Sequence, residues 1–179
     1  VFFYGLWGLN YNRKGITYQL NLDVRKYTVQ EIDTITNLLQ RRVNFYADTI
    51  SLMERDSFDR KKTLFEKATE AYLYANNSYP FLSYEPQSIK PSLFSYLGNY
   101  FGFQGYYNPF SGEGQVNTTI PRFLEPFVSA HEVAHQLGYG KENEANFVAF
   151  LACKSYPNNT YRYSMYFDMY LYAITELDK

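Results

Sequence analysis

Three observations predict an α+β fold that is mostly helical. Apolar residues recur at helical spacing through several segments. Between about 79 and 121, Pro80, Pro86, Pro91 and Pro109 and five glycines break that pattern. Two short runs inside this interruption read as strands. Nearly half of the 179 residues are apolar and a fifth are charged, enough for one domain with a real core and a little short for two.

The elements follow in order. Val1 to Leu9 is apolar and lacks an initiator methionine. That opening fits a buried strand or a mature chain cut after a hydrophobic segment. A polar stretch, Asn10 to Lys14, comes next. Thr28 and Glu31 have capping-box spacing, and Val29, Ile32, Ile35, Leu38, Leu39 and Val43 recur behind them. An amphipathic helix therefore spans about 28–47. A second starts at Ser57 or Phe58 and runs to about Tyr74, with Leu64, Phe65, Ala68, Ala71 and Tyr72 on its apolar face. Phe103 to Tyr107 and Gln115 to Ile120 form a hairpin across the loop 108–114. Pro126 sits where helices start, and that helix runs to Leu137, stopped by Gly138-Tyr139-Gly140. Another runs from near Lys141 through Cys153, and a last one covers about Tyr161 to Leu177.

Composition removes several functions. The formal net charge of −1 lacks the clustered basic face that nucleic acid requires. No run of 18 or more apolar residues spans a bilayer. One cysteine, Cys153, forms no internal disulfide and no multi-cysteine cluster. The richness in aromatics, 20 Tyr and 15 Phe, suits a partly apolar binding surface as well as a core.

The chemistry centres on His131-Glu132-Val133-Ala134-His135. Residues four apart on a helix differ by roughly 40° around its axis. Both imidazoles therefore lean from one face and can reach one ion, with Glu132 beside its open position as general base. The chain has only two histidines, and both lie here. The flanking Phe127, Val128, Ala130, Val133, Ala134 and Leu137 are apolar or small, so the helix is buried and its polar groups need partners. The third ligand is an acid downstream, Glu142 or Glu144, about 200° apart on a regular helix. Glu142 is favoured by the Gly138 turn, by the small Ala145 and Ala149, and by Asn146 one turn on, suited to hydrogen-bond a ligand histidine. Cys153 is a rival ligand by type, but its apolar neighbours suit a core residue better. Tyr139, Tyr161, Arg162 and Tyr163 are candidates for stabilising developing negative charge.

A longer pattern surrounds this motif: Trp7-Gly8-Leu9-Asn10-Tyr11, Lys90-Pro91-Ser92, Gly105-Tyr106-Tyr107-Asn108-Pro109-Phe110-Ser111-Gly112-Glu113, Pro126-Phe127, Glu142-Asn143-Glu144-Ala145-Asn146-Phe147, Leu151-Ala152-Cys153 and Arg162-Tyr163-Ser164. In these stretches the chain resembles the bacterial family catalogued as domain of unknown function 3810, regarded as membrane-associated zinc peptidases. Gly114 departs from the pattern, where a small non-glycine residue is expected. The resemblance implies a zincin-like, gluzincin-like enzyme in which His131, His135 and Glu142 bind Zn2+ and Glu132 is the base. It also implies a membrane anchor ahead of this region, with the domain extracytoplasmic.

The expectation is thus one zincin-like domain over 1–179, mainly helical in 1–89 and carrying the metal site in 90–179. A sheet edge near 115–120 would sit above the metal helix and receive an extended peptide. The expected activity is peptide-bond hydrolysis with Zn2+ as cofactor. The rivals are a non-catalytic, zinc-containing domain binding a peptide or envelope partner, and a metal hydrolase with another substrate.

Overall fold

The computed structural model describes residues 5, 8–50, 61–85 and 88–178. Most of Val1 to Leu9 and the expected helix start at Ser57 or Phe58 lie outside the described residues. The chain is mostly helical with one small sheet, as expected of an α+β protein.

The polar stretch at the start is ordered by backbone turns: a 3-10 turn, Gly8–Asn12, and a short helix α1, Ile16–Gln19. The Thr28 hydroxyl accepts from the Glu31 N–H at 3.2 Å, and the Glu31 carboxylate accepts from the Thr28 N–H at 2.9 Å. This reciprocal cap starts helix α2, Val29–Thr49. Thr36, Leu39, Val43 and Tyr46 form its buried face, whereas Val29, Ile35 and Leu38 stay exposed. The buried stripe is narrower than the sequence pattern. Helix α3, Lys61–Asn76, buries Leu64, Ala68, Ala71, Tyr72 and Ala75.

After a 3-10 turn at Pro80–Leu82, three strands form a sheet: β1 Ile89–Pro91, β2 Gly105–Asn108 and β3 Glu113–Val116. Their order is β1-β3-β2, with β1 parallel and β2 antiparallel to β3. Strand β1 and helix α4, Ser95–Phe101, were not foreseen. Both are short, and prolines and Gly98 hide them. The predicted strand to Ile120 ends at Val116, where the Asn117 side-chain oxygen accepts from the Thr119 N–H at 3.0 Å and bends the chain. β3 is therefore the central strand, and the edge beside the metal motif is β2.

Helices α5, Glu125–Gln136, α6, Glu142–Ser155, and α7, Asn159–Leu177, complete the chain. α7 starts before Tyr161 because the Asn158 side chain caps the N–H groups of Thr160 and Tyr161. α3, α5 and α6 meet through alanines and valines, among them Ala71, Ala130, Val133, Ala134, Val148 and Ala149, all fully buried. Small side chains let the helices approach closely; Tyr72 ties α3 to α5 by donating to the Ala130 carbonyl at 2.7 Å, and Tyr161 ties α7 to α3 by donating to the Leu64 carbonyl at 2.5 Å. α2 lies along α7, with Tyr46 stacked on Tyr166. No helix among the described residues is long and apolar enough to cross a membrane.

Candidate metal centre

Nearly every residue of α5 is buried, and its two histidines lie side by side on it. Their ring centroids lie 4.6 Å apart. The Gly138 turn then redirects the chain. Its φ of +92° is a conformation that glycine adopts readily, and its N–H bonds the His135 carbonyl at 2.8 Å. Two residues past Gly140, α6 begins with Glu142. The Glu142 carboxylate lies 3.1 Å from His131 Nε2 and 3.5 Å from His135 Nε2. One ligand atom from each of these three residues falls within 4.8 Å of the others. Hydrogen bonding to His131 and then His135 holds the Glu142 carboxyl well below the usual carboxylate range.

The same loop fixes one imidazole. His135 Nδ1 lies 2.7 Å from the Tyr139 carbonyl. A carbonyl only accepts, so Nδ1 carries the proton and Nε2 faces Glu142. Burial opposes charging of His135, but Glu142, Glu132 and the Tyr139 carbonyl outweigh it and raise its pKa. The loop is braced in turn by the start of the chain. Arg13 donates to the Leu137 carbonyl at 2.7 Å, and the Tyr139 hydroxyl donates to Gln19 at 2.5 Å.

Glu144 points elsewhere. A Cβ built on Gly15 would lie 2.0 Å from its carboxylate oxygen, and Lys141 sits 3.5 Å away. Of the two acids left open by the sequence, Glu142 is the one beside both histidines. Asn146 lines the same cavity but forms no hydrogen bond to either imidazole; the Tyr139 carbonyl takes the role expected of it. Cys153 is fully buried in the core, away from the trio, and burial pushes its thiol up.

Glu132 points to the sheet side of α5. Its side chain is buried, and it is pressed by β2 and β3 at two glycines. A Cβ on Gly105 would meet its Oε1 at 2.2 Å, and one on Gly114 would meet its Cβ at 3.1 Å. The glycine at 114, unexpected from the family pattern, therefore permits close approach. Glu132 Oε2 has no hydrogen-bond partner among the described residues. Burial raises this carboxyl from 4.5 to about 7, against the opposing influence of His131 and His135.

Two cavities flank the trio, of about 510 and 230 Å³, and share Gly105, His131, Glu132 and Glu142. Tyr139, Tyr161, Arg162 and Tyr163 line neither. The hydroxyls of Tyr139 and Tyr161 are committed to Gln19 and Leu64. Tyr163 packs on Phe123 and Phe167. The tyrosines that reach the smaller cavity are Tyr11, Tyr106 and Tyr107. In the larger cavity a residue missed by sequence reasoning appears, Asp168 of α7. Its signal was faint: a lone acid within an aromatic helical run. Burial raises its carboxyl, and His131 opposes the shift.

Two imidazole nitrogens and a carboxylate oxygen, with an orphaned carboxylate beside them, fit a divalent transition metal. Fold and site thus define a helical α+β protein with a candidate two-histidine, one-carboxylate metal centre. The chain belongs to the family described as "Protein of unknown function (DUF3810)", whose model matches residues 1–179. No curated protein and no solved structure matches it.

Proposed function

We propose that the protein is a zinc-dependent peptidase of zincin-like, gluzincin-like type, with His131, His135 and Glu142 as metal ligands and Glu132 as general base. The supporting observation is the buried, unpartnered Glu132 Oε2 beside three convergent donors. Bound zinc would supply a Lewis acid for the scissile carbonyl and an acidified water. The chain's own residues do the rest. Glu132, with a carboxyl near pKa 7, accepts a proton and returns it to the leaving amine. The Tyr139 carbonyl keeps His135 in the tautomer that turns Nε2 inward. β2, paired on one side by β3, offers its other edge to an extended peptide. The non-catalytic alternative is weaker, since a structural zinc site is closed by four protein ligands and three converge among the described residues. A membrane-anchored, extracytoplasmic setting belongs to the same proposal and rests on the family resemblance.

Metal-stripped protein should take up about one equivalent of zinc and then cleave members of a quenched-peptide library. Glu142→Ala should weaken zinc binding by more than about tenfold, while Glu144→Ala leaves it near wild type. A folded protein that takes up no zinc on addition would overturn the reading. The opposite response of the two glutamate variants would reassign the third ligand.

A further inference from the structure

One wall of the larger cavity is a stripe of α7. Asp168, Leu171, Tyr172 and Thr175 recur at helical spacing, and all four line it. Leu171, Tyr172 and Thr175 are exposed at the mouth, whereas Asp168 is half-buried. Phe127 and Val128 of α5 add apolar surface. No described Lys or Arg lines the cavity, and Asp168 has no hydrogen-bond or ion-pair partner among the described residues. A desolvated carboxylate without a partner is unfavourable until a cation reaches it. Glu132, whose buried Oε2 is also unpartnered among the described residues, lines the same cavity. Glu132 and Glu142 are already assigned to the metal centre. Asp168 is the acid left over on the substrate side, at the inner end of an apolar wall.

We propose that this cavity is a specificity subsite for a cationic group of the substrate, recognised by Asp168. The inference rests on the peptidase reading above. An apolar strip, Leu171 and Tyr172, beside a half-buried acid in an otherwise largely polar cavity suits an aliphatic stem ending in an ammonium or guanidinium, a Lys or Arg side chain. A free α-amino terminus offers the same charge, and the experiment separates the two sources.

The zinc-loaded protein is given quenched peptides identical save for one residue beside the scissile bond, Lys, Arg, Met, Gln or Glu, each with a free and an acetylated N-terminus. The Lys and Arg peptides should exceed the Met and Gln peptides in kcat/KM by about tenfold or more, with Glu lowest. If the preference instead follows the free terminus and vanishes on acetylation, the cation is the α-amino group. In Asp168→Asn the ratio of cationic to neutral peptides should fall towards one, with zinc content unchanged. A binding arm uses the zinc-loaded Glu132→Gln variant. There the Lys peptide should bind more tightly than its Met analogue, and adding Asp168→Asn should erase the difference. Equal cleavage and binding of charged and neutral peptides by the wild-type cavity would overturn the proposal. So would a uniform loss across all peptides with weakened zinc in Asp168→Asn, which would make Asp168 a positioning residue for His131. Cleavage of no peptide at all would sink the peptidase reading, and the binding arm would still decide the subsite.

Discussion

Above α5 the packing is done by backbone; on the far side, between α2, α6 and α7, it is done by long side chains. Gly105 and Gly114 bring two strands against Glu132, so that a methyl group at Gly105 would displace its carboxylate. In the second region Ile35 and Leu38 stand 52% and 54% exposed beside an apolar groove of about 870 Å³. The first region holds one carboxylate in one place; the second fills space loosely. The difference is one of tolerance. A proton-transferring group must be aimed to within a fraction of an ångström, and only glycine lets a strand press that closely. Apolar side chains beside a groove are under no such demand.

The contrast can be tested by perturbing each region in turn. The largest effect is expected at Glu132. Glu132→Gln should keep zinc and lower peptide hydrolysis by at least about 100-fold. It should also act on the metal-free fold. Burial raises this carboxyl from 4.5 to about 7. The folded state therefore favours the protonated form, and stability is fully present below pH 4.5 and lost as pH rises to about 7. The amide cannot ionise, so metal-free Glu132→Gln should exceed wild type in unfolding free energy at pH 8 by up to about 3 kcal/mol, read as a higher denaturant midpoint, and match it near pH 4. Equal midpoints at pH 8 would mean that Glu132 is not desolvated.

A smaller effect is expected at Gly105. Its new methyl group in Gly105→Ala would overlap the Glu132 carboxylate, a side-chain end that can swing aside, and approach the Gln115 carbonyl at 3.0 Å. Activity should fall by about 10-fold or more through displacement of the base, with stability lowered by only about 1 kcal/mol and zinc retained. Unchanged activity would show that the base tolerates movement, and the two regions would cease to differ. The smallest effect belongs to the far side. Leu38→Gln should change stability by less than about 0.5 kcal/mol and leave hydrolysis at wild-type rate. A drop of several kcal/mol there would reveal a constraint that half exposure conceals.

How much of this was legible in the sequence follows the same division. The helices were readable because their buried stripes repeat and their ends are marked. Thr28 and Glu31 announce α2, and Gly138 announces the end of α5. The convergence of His131 and His135 is a matter of helical period, and it could be read directly. The acid of the trio was narrowed to two candidates by spacing, and its placement depends on a turn that Arg13 and Gln19 brace from outside. β1 and α4 escaped because each is too short for a period to emerge. The edge strand was misassigned because pairing partners, not local pattern, decide which strand lies in the middle. Asp168 escaped for a similar reason: its neighbours belong to other helices, and no local motif marks it. Tyr139 and Tyr161 lie outside both cavities with their hydroxyls committed to Gln19 and Leu64, and residue type alone does not reveal such a commitment.

The brace beneath the Gly138 loop carries a consequence for the order in which the protein is made. Arg13 and Leu137 are separated by 124 positions, and Gln19 and Tyr139 by 120. The earlier member of each pair leaves the ribosome long before its partner exists. The loop that carries the Tyr139 carbonyl is therefore braced only after Leu137 and Tyr139 have been synthesised and the segment 13–19 has packed against them. A nascent or truncated chain would carry both histidines without the frame that aims them. The ordering is a built-in delay: the two histidines are made before the frame around their loop can close.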